Sequence, residues 1–179
     1  MAKRTESKKL IGPHKEAVMT FDWNQSLLVS GDKSGIVGIW DLNQGELVRA
    51  LKTHKGSVSK IAIDGKQGLI YSLGLNDGSI AALDMRTNQG AFKQMVHKGA
   101  GNDIKVLDNK VITCSADHTI NVLEVPSFKS SVHIDIKDMA FALEYANGVI
   151  VAATSSGNIV ASDVNSGEIL YGYGVMKKG

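Results

Sequence analysis

The sequence predicts an all-β fold of about four similar units, each a sheet of four antiparallel strands. Two landmarks support this with one period near forty residues. Histidine-led segments start at His14, His54 and His97, and an acidic residue closes an alternating strand at Asp41, Asp84, Glu124 and Asp163. A period of this length that holds four short strands is typical of one blade of a β-propeller.

Each period places its strands in the same order. The second strands are β-rich runs at 27–30, 69–72, 110–113 and 149–152, and the third strands follow at 36–40, 79–83, 119–123 and 158–162. Outer strands follow turns, for example at 46–51 and 168–173. Gly35, Gly78 and Gly157 recur between the second and third strands, where they are interpreted as turn glycines and not as a phosphate-binding loop.

The repeat sets the predicted domain organisation. Residues 1–9 are interpreted as a basic flexible tail, and residues 10–179 as propeller blades. The predicted blade boundaries are approximately 14–53, 54–96, 97–132 and 133–175.

Composition excludes several classes of protein. The 179 residues carry 20 basic and 18 acidic side chains, and the tail holds much of the basic excess, so no basic face for nucleic acid is expected. No apolar run has the length of a membrane-spanning helix, and no secretory signal is present. The single cysteine, Cys114, is typical of a reducing compartment, so the chain is expected in the cytoplasm or nucleus of the cell.

Several motifs resemble those of the WD-repeat family of β-propellers. Blade one has the Trp40-Asp41 dipeptide after the turn at 34–36, and blade two has Asp77-Gly78 ahead of Leu83-Asp84. The resemblance covers about residues 10 to 173, and it implies a propeller that binds other proteins without catalysis.

In that family a histidine, a strand Ser or Thr, a turn Asp and the Trp form a buried hydrogen-bonded network in each blade. By resemblance, the members here are His14, Ser30, Trp40, His54, Ser72, Asp77, Thr113 and Asp117. No blade is expected to hold all four, since Ser34 occupies the Asp place of blade one and blade four keeps none clearly. His97 is a further candidate, and His133 is out of register. The histidines are interpreted as structural rather than as metal ligands or catalytic bases.

The ring is expected to be incomplete. Four blades are countable where the family usually has seven, and the last residues are in phase with the start of a fifth blade. A truncated product, a fragment, or a half-ring completed by another chain or by a second copy is therefore expected. The alternative is a compact four-blade ring.

No enzyme signature is present, and no cofactor or metal site is predicted. Cys114 has no motif that joins it to a histidine and an acid. The predicted function is a non-catalytic scaffold for protein–protein interactions. A propeller hydrolase with its site at the central channel is a distant alternative.

The resemblance implies a partner site on the top face, around the central channel. Three positions per blade project there, and they transfer by repeat phase to Ala17, Met19, Lys33, Ser57, Ser59, Asn76, Ala100, Asn102, Ala116, Lys137, Met139 and Ser155. This set suits a peptide or loop that carries an acidic residue near an apolar anchor, and it does not suit nucleic acid.

A second motif suggests an alternative function. Asp77-Gly78, followed by residues 83–86 (Leu-Asp-Met-Arg), resembles the box by which some WD-repeat proteins dock on the damage-binding adaptor of cullin ubiquitin ligases. Leu83 stands where that box has Trp. The alternative is therefore a substrate receptor of such a ligase.

Overall fold

The computed structural model describes residues 12–87 and 92–174, and within them the chain is all-β. Sixteen strands in those ranges form four separate sheets of four antiparallel strands each, which confirms the predicted fold class and blade number. The described ranges hold no helix that could cross a membrane. The predicted basic tail at 1–9 lies outside the described residues.

Each sheet is a simple meander of consecutive strands. The four blades, with strands from the inner to the outer edge, have the following bounds. Blade 1 comprises β1 (Val18–Asn24), β2 (Leu27–Asp32), β3 (Ile36–Asp41) and β4 (Glu46–Lys52). Blade 2 comprises β5 (Val58–Asp64), β6 (Leu69–Gly74), β7 (Ser79–Asp84) and β8 (Phe92–Met95). Blade 3 comprises β9 (Gly101–Leu107), β10 (Lys110–Ser115), β11 (Thr119–Glu124) and β12 (Lys129–Asp135). Blade 4 comprises β13 (Ala140–Ala146), β14 (Val149–Thr154), β15 (Asn158–Asp163) and β16 (Ile169–Gly174).

The recurring acidic residue at the end of the third strand has a structural role in three blades. Asp41 Oδ1 accepts the backbone N–H of Asn43 at 2.8 Å, and Asp163 Oδ1 accepts that of Asn165 at 2.9 Å. Asp84 Oδ1 accepts the amide two residues later in the same way, at 2.8 Å. The carboxylate therefore caps the turn into the outer strand, which explains why an acid recurs there.

The inner strands β1, β5, β9 and β13 lie side by side. Aspartates of one blade bind the inner strand of the next. The backbone N–H of Ile63 donates to Asp22 Oδ2 at 2.9 Å, and that of Leu143 donates to Asp103 Oδ2 at 2.8 Å. Equivalent positions of neighbouring blades are therefore adjacent, and the loops that precede the four inner strands lie along one rim.

Three apolar clusters fill the junctions between blades. Val29 and Val37 of blade 1 pack with Ile61, Ile70 and Leu83 of blade 2. The other two junctions contain the repeat equivalents, led by Tyr71, Ile80, Ile104 and Val111 at the second junction and by Ile112, Ile120, Leu143 and Ile150 at the third. Every blade between two others therefore buries both of its faces, as stacked sheets must.

One predicted boundary differs from the structure. Blade 4 was expected to begin at residue 133, but β12 of blade 3 continues to Asp135. His133 pairs with Asn121 of the adjacent strand, and its Nδ1 lies 2.7 Å from Asn121 Oδ1. The first residue of each predicted blade was placed with the help of the repeated histidines. Blade 4 has no histidine in the loop before its inner strand, so its boundary was placed too early.

Candidate functional site

Blade 1 contains a complete hydrogen-bonded network. The Trp40 indole N–H donates to Ser30 Oγ at 2.8 Å, and Ser30 Oγ lies 2.6 Å from His14 Nε2. His14 Nδ1 lies 2.9 Å from Asp32 Oδ2. Because the indole can only donate, the order that satisfies every group has Ser30 donate to Nε2 and Nδ1–H donate to Asp32. The expectation that no blade holds all four members is wrong for blade 1.

Asp32 fills the place that the sequence assigned to Ser34. Its Oδ1 accepts the backbone N–H of Ser34 at 2.8 Å, the Ser34 hydroxyl at 2.7 Å and the N–H of Ile36 at 2.9 Å. Burial by itself raises the pKa of Asp32, but these bonds and the contact with His14 outweigh it and lower the pKa. The acid comes from the end of the strand instead of the turn, so alignment by turn position missed it.

Blade 2 has the predicted histidine, serine and aspartate. His54 Nε2 lies 2.9 Å from Ser72 Oγ, and Nδ1 lies 3.3 Å from Asp77 Oδ1 and 3.1 Å from Ser79 Oγ. The Trp place is occupied by Leu83, which is fully buried. The polar half of the network is thus kept and the indole is replaced by aliphatic packing.

Blade 3 repeats this arrangement and includes His97. His97 Nε2 lies 2.9 Å from Thr113 Oγ1, and Nδ1 lies 3.3 Å from Asp117 Oδ2 and 3.1 Å from Thr119 Oγ1. Burial raises the pKa of Asp117, but the hydrogen bonds that it accepts and the nearby His97 lower that pKa to about 2. His97 is therefore a member of the network.

Blade 4 is held differently. Ala152 occupies the Ser/Thr place and is buried. Asp138, in the loop before β13, accepts the Ser155 hydroxyl at 2.5 Å and the Ser156 backbone N–H at 3.2 Å. In blade 4 the carboxylate therefore belongs to the loop before the inner strand and binds the turn between β14 and β15. The sequence analysis did not predict this role for Asp138. The available signal was an acid two residues before the inner strand.

Burial shifts the pKa values of the buried histidines of blades 2 and 3 and of the cysteine. Burial lowers the pKa of both His54 and His97, so each imidazole is neutral near pH 7 and fully engaged by its neighbours. Burial likewise raises the pKa of the Cys114 thiol to about 12, which makes it a poor nucleophile. Within 12–87 and 92–174, no three His, Cys, Asp or Glu side chains come together as a metal site.

These histidines predict how stability depends on pH. The folded chain resists protonation at His54 and His97, while the unfolded chain accepts protons near pH 6.5. The unfolded state therefore binds more protons below that pH, and the free energy of unfolding is expected to fall as pH drops from 7.5 to 5.5. Urea denaturation at the two pH values checks this. The double variant His54→Gln, His97→Gln should show a weaker dependence, and an equal dependence would contradict the assignment.

One backbone hydrogen bond repeats along the rim and identifies equivalent positions. The N–H of the residue after the second strand donates to the residue before the inner strand in every blade. The four pairs, at 2.8 to 2.9 Å, are Lys33 to Ala17, Leu75 to Ser57, Ala116 to Ala100 and Ser155 to Met139. The rim is therefore built in the same way in all blades, and its residues can be compared position by position.

This comparison corrects part of the predicted top face. Met139 is the counterpart of Ala17, so the counterpart of Met19 in blade 4 is Phe141, not Met139. Lys137 lies two residues too early and pairs with Asp135. In blade 2 a one-residue insertion makes Leu75, not Asn76, the counterpart of Lys33. The rim positions had been assigned by their spacing from the repeat histidine and the turn acid. The missing histidine in blade 4 and the insertion in blade 2 made these assignments wrong by one or two residues.

The structure spreads the predicted top-face residues over different environments. The exposed members are Ala17, Met19, Lys33, Asn76, Lys137, Met139 and Ser155. Ser59, Ala100, Asn102 and Ala116 are partly buried, and Ser57 is buried. Asn102 donates to the Ala140 carbonyl at 2.6 Å, and Ser59 donates to the Leu73 carbonyl at 3.0 Å, so these two side chains serve the blade itself.

The motif at the end of β7 lies on the opposite rim. Arg86 forms a bidentate ion pair with Asp84, in which Nε donates to Oδ1 at 2.9 Å and Nη2 donates to Oδ2 at 2.7 Å. The arginine side chain is 70% exposed. Leu83 is fully buried, Asp84 and Met85 are partly exposed, and Arg86 is exposed.

Comparison with known proteins agrees with the fold. No family model matches the chain. The U5 small nuclear ribonucleoprotein 40 kDa protein of Dictyostelium discoideum is 26% identical over 63% of this chain and 32% of its own length. WD repeat-containing protein 1-A of Xenopus laevis is 28% identical over 77% of this chain and 24% of its own. This chain therefore spans a third or less of either relative.

A solved structure gives the same result. The WD40 β-propeller domain of Doa1 superimposes with a TM-score of 0.78 and 18% identity, over 93% of this chain and 56% of that chain. The identity is low enough that this likeness concerns the fold alone. Together with the four-stranded blades, it shows that the chain has the fold of a WD40-type β-propeller, and the curated relatives show that its sequence is similar to those of WD-repeat proteins.

Proposed function

We propose that this chain is a non-catalytic scaffold that binds a protein partner on its top rim. The observation that carries the proposal is the rim itself, where the same backbone bond recurs in every blade and the rim positions of blades 1 and 4 present exposed side chains. Rigid strands hold this rim, since the histidine networks tie the loops of blades 1 to 3 to the sheets behind them. Side chains held in fixed positions lose little freedom on binding, which favours recognition.

The chemistry of the rim suggests what the partner carries. Met19 and Phe141 are 52% and 54% exposed, and Met139 is 37% exposed. Large exposed apolar side chains of this kind commonly anchor a partner. Lys33 lies on the same rim and is exposed. A peptide or loop with an apolar anchor near an acidic residue fits this surface better than a nucleic-acid backbone or a membrane does.

We propose that the chain acts inside the cell, in the cytoplasm or the nucleus. The only cysteine is buried and free, as expected of a protein kept in a reducing environment.

A peptide-display selection against the purified chain tests the proposal. Enriched peptides are expected to share an apolar residue near an acidic one. Met19→Asp or Lys33→Glu should weaken their binding by at least about 1 kcal/mol without lowering the melting temperature, since both residues are exposed.

The matched control is Lys66→Glu on the opposite rim. Lys66 is a fully solvated lysine whose side chain is 82% exposed, and it makes only a surface ion pair with Asp108. This variant should bind the peptides as the parent chain does. If the selected peptides bind Met19→Asp and Lys33→Glu unchanged, the partner surface is elsewhere on the blades.

The second candidate function is a substrate receptor of a cullin-type ubiquitin ligase. The observation in its favour is the exposed Arg86, which Asp84 holds in a fixed orientation. Co-purification with the damage-binding adaptor of such ligases tests it, and Arg86→Ala should abolish the interaction. If the parent chain does not recover the adaptor in this experiment, this function is excluded.

A further inference from the structure

The two end faces of the four-blade stack expose several apolar positions that are buried or partly buried at the internal junctions. A blade has a back face, turned toward the preceding blade, and a front face, turned toward the next. On the back face of blade 1, Phe21 and Trp23 are 60% and 63% exposed and their rings are 6.0 Å apart. Their equivalents in blade 2, Ile61 and Ile63, pack into the first junction.

The front face of blade 4 likewise exposes apolar side chains whose equivalents in other blades are buried. Val151 and Ile159 are 36% and 43% exposed. The residues at these two positions in blade 1, Val29 and Val37, are fully buried against blade 2. In blade 3 the equivalents Ile112 and Ile120 are fully buried against blade 4. The end faces thus have the composition of a junction without the partner blade.

The two end faces are opposite halves of one kind of junction. The front face of each blade packs on the back face of the following blade at all three internal junctions. Blade 4 offers a front face and blade 1 offers a back face. The back face also contains a hollow of ≈ 290 Å³ between His14, Val18, Phe21, Leu28 and Trp40, which could receive side chains of a front face.

We propose that two copies of this chain associate through these faces into a closed eight-blade ring. The front face of blade 4 in one copy packs on the back face of blade 1 in the other, and the reverse contact closes the ring. The assembly has a twofold axis and two identical head-to-tail junctions, and each continues the junction already present three times within the chain. An eight-blade ring is within the range of known propellers. Closure covers apolar surface that otherwise promotes aggregation.

The mass of the purified 179-residue chain tests this, measured by light scattering over a range of concentrations. The expected mass is twice the 19.1 kDa of one chain. Trp23→Glu and Ile159→Glu should each yield the single-chain mass, because each change damages both junctions. Both side chains are exposed within one copy, so both variants are expected to fold, which circular dichroism checks. Val48→Glu is the matched control, since Val48 is 62% exposed on the outer strand β4 away from both end faces, and it should remain a dimer.

Mixing the two variants distinguishes head-to-tail contact from other arrangements. A pair made of one Trp23→Glu chain and one Ile159→Glu chain has one junction with both faces intact, so mixing is expected to restore dimers that neither variant forms alone. A contact between two copies of blade 1 would leave Ile159→Glu dimeric by itself. A single-chain mass for the parent, larger open assemblies, or no recovery on mixing would overturn the proposal. The top-rim residues lie outside these faces, so the peptide-binding result is independent of this one.

Discussion

Trp40→Ala is expected to lower the free energy of unfolding by about 3–5 kcal/mol, the usual cost of removing a large buried aromatic side chain. Trp40 is 4% exposed, its ring packs directly against Gly12, and its indole N–H is bound to Ser30. The substitution removes this packing, and Ser30 Oγ loses the hydrogen bond that it accepts from the indole N–H. Urea denaturation followed by circular dichroism, at one fixed protein concentration, measures the loss.

Trp40→Phe keeps an aromatic ring at this position. Phenylalanine retains part of the packing but loses the indole N–H and the outer ring atoms that lie against Gly12, so a cost of about 1–3 kcal/mol, below that of Trp40→Ala, is expected. A loss below about 1 kcal/mol for Trp40→Ala would mean that blade 1 does not depend on this indole.

Gly35→Ala is expected to cost about 2–5 kcal/mol, because the β2–β3 turn lies directly against the loop that leads into blade 2. Gly35 has φ of +95°, and a Cβ there would stand 2.2 Å from the His54 carbonyl oxygen. That oxygen belongs to the backbone, so it cannot move without displacing the His54 network. Positive φ accounts for about 1–2 kcal/mol, and the clash adds the remainder.

Gly148→Ala is the matched control for this prediction. Gly148 has a similar φ of +83°, and a Cβ there would have nothing within 4 Å. Only the conformational cost of about 1–2 kcal/mol is expected. If the two variants lose equal stability in thermal and urea denaturation, the close approach of turn and loop contributes nothing.

The repeat made the fold predictable from sequence. Blade 3, for example, follows from the β-rich run at 110–113, the turn at Asp117 and the strand at 119–123, which the structure confirms as β10 and β11. Such local patterns suffice because each blade is a meander in which strands pair with their neighbours in sequence. The acid that closes the third strand was visible for the same reason, since it caps a turn only a few residues away.

The site was less predictable where spacing changed. Asp32 stands two residues from the expected position of the blade 1 acid, and nothing in a linear motif shows that its carboxylate reaches His14. Blade 4 lacks the histidine from which the rim positions were counted, so Phe141 was missed. These errors have a common origin, because a hydrogen bond requires proximity in space and tolerates shifts of one or two residues along the chain.

The strand order, the four blades and most members of the histidine networks could therefore be predicted from the sequence, because all of them depend on contacts within one period. Which apolar side chains are covered depends on the packing of one blade against the next. Phe21 and Ile61 stand at the same repeat position, yet one is 60% exposed and the other 3%. Burial depends on the neighbouring blade, and position in the stack is a property of the assembled chain, which no single repeat encodes.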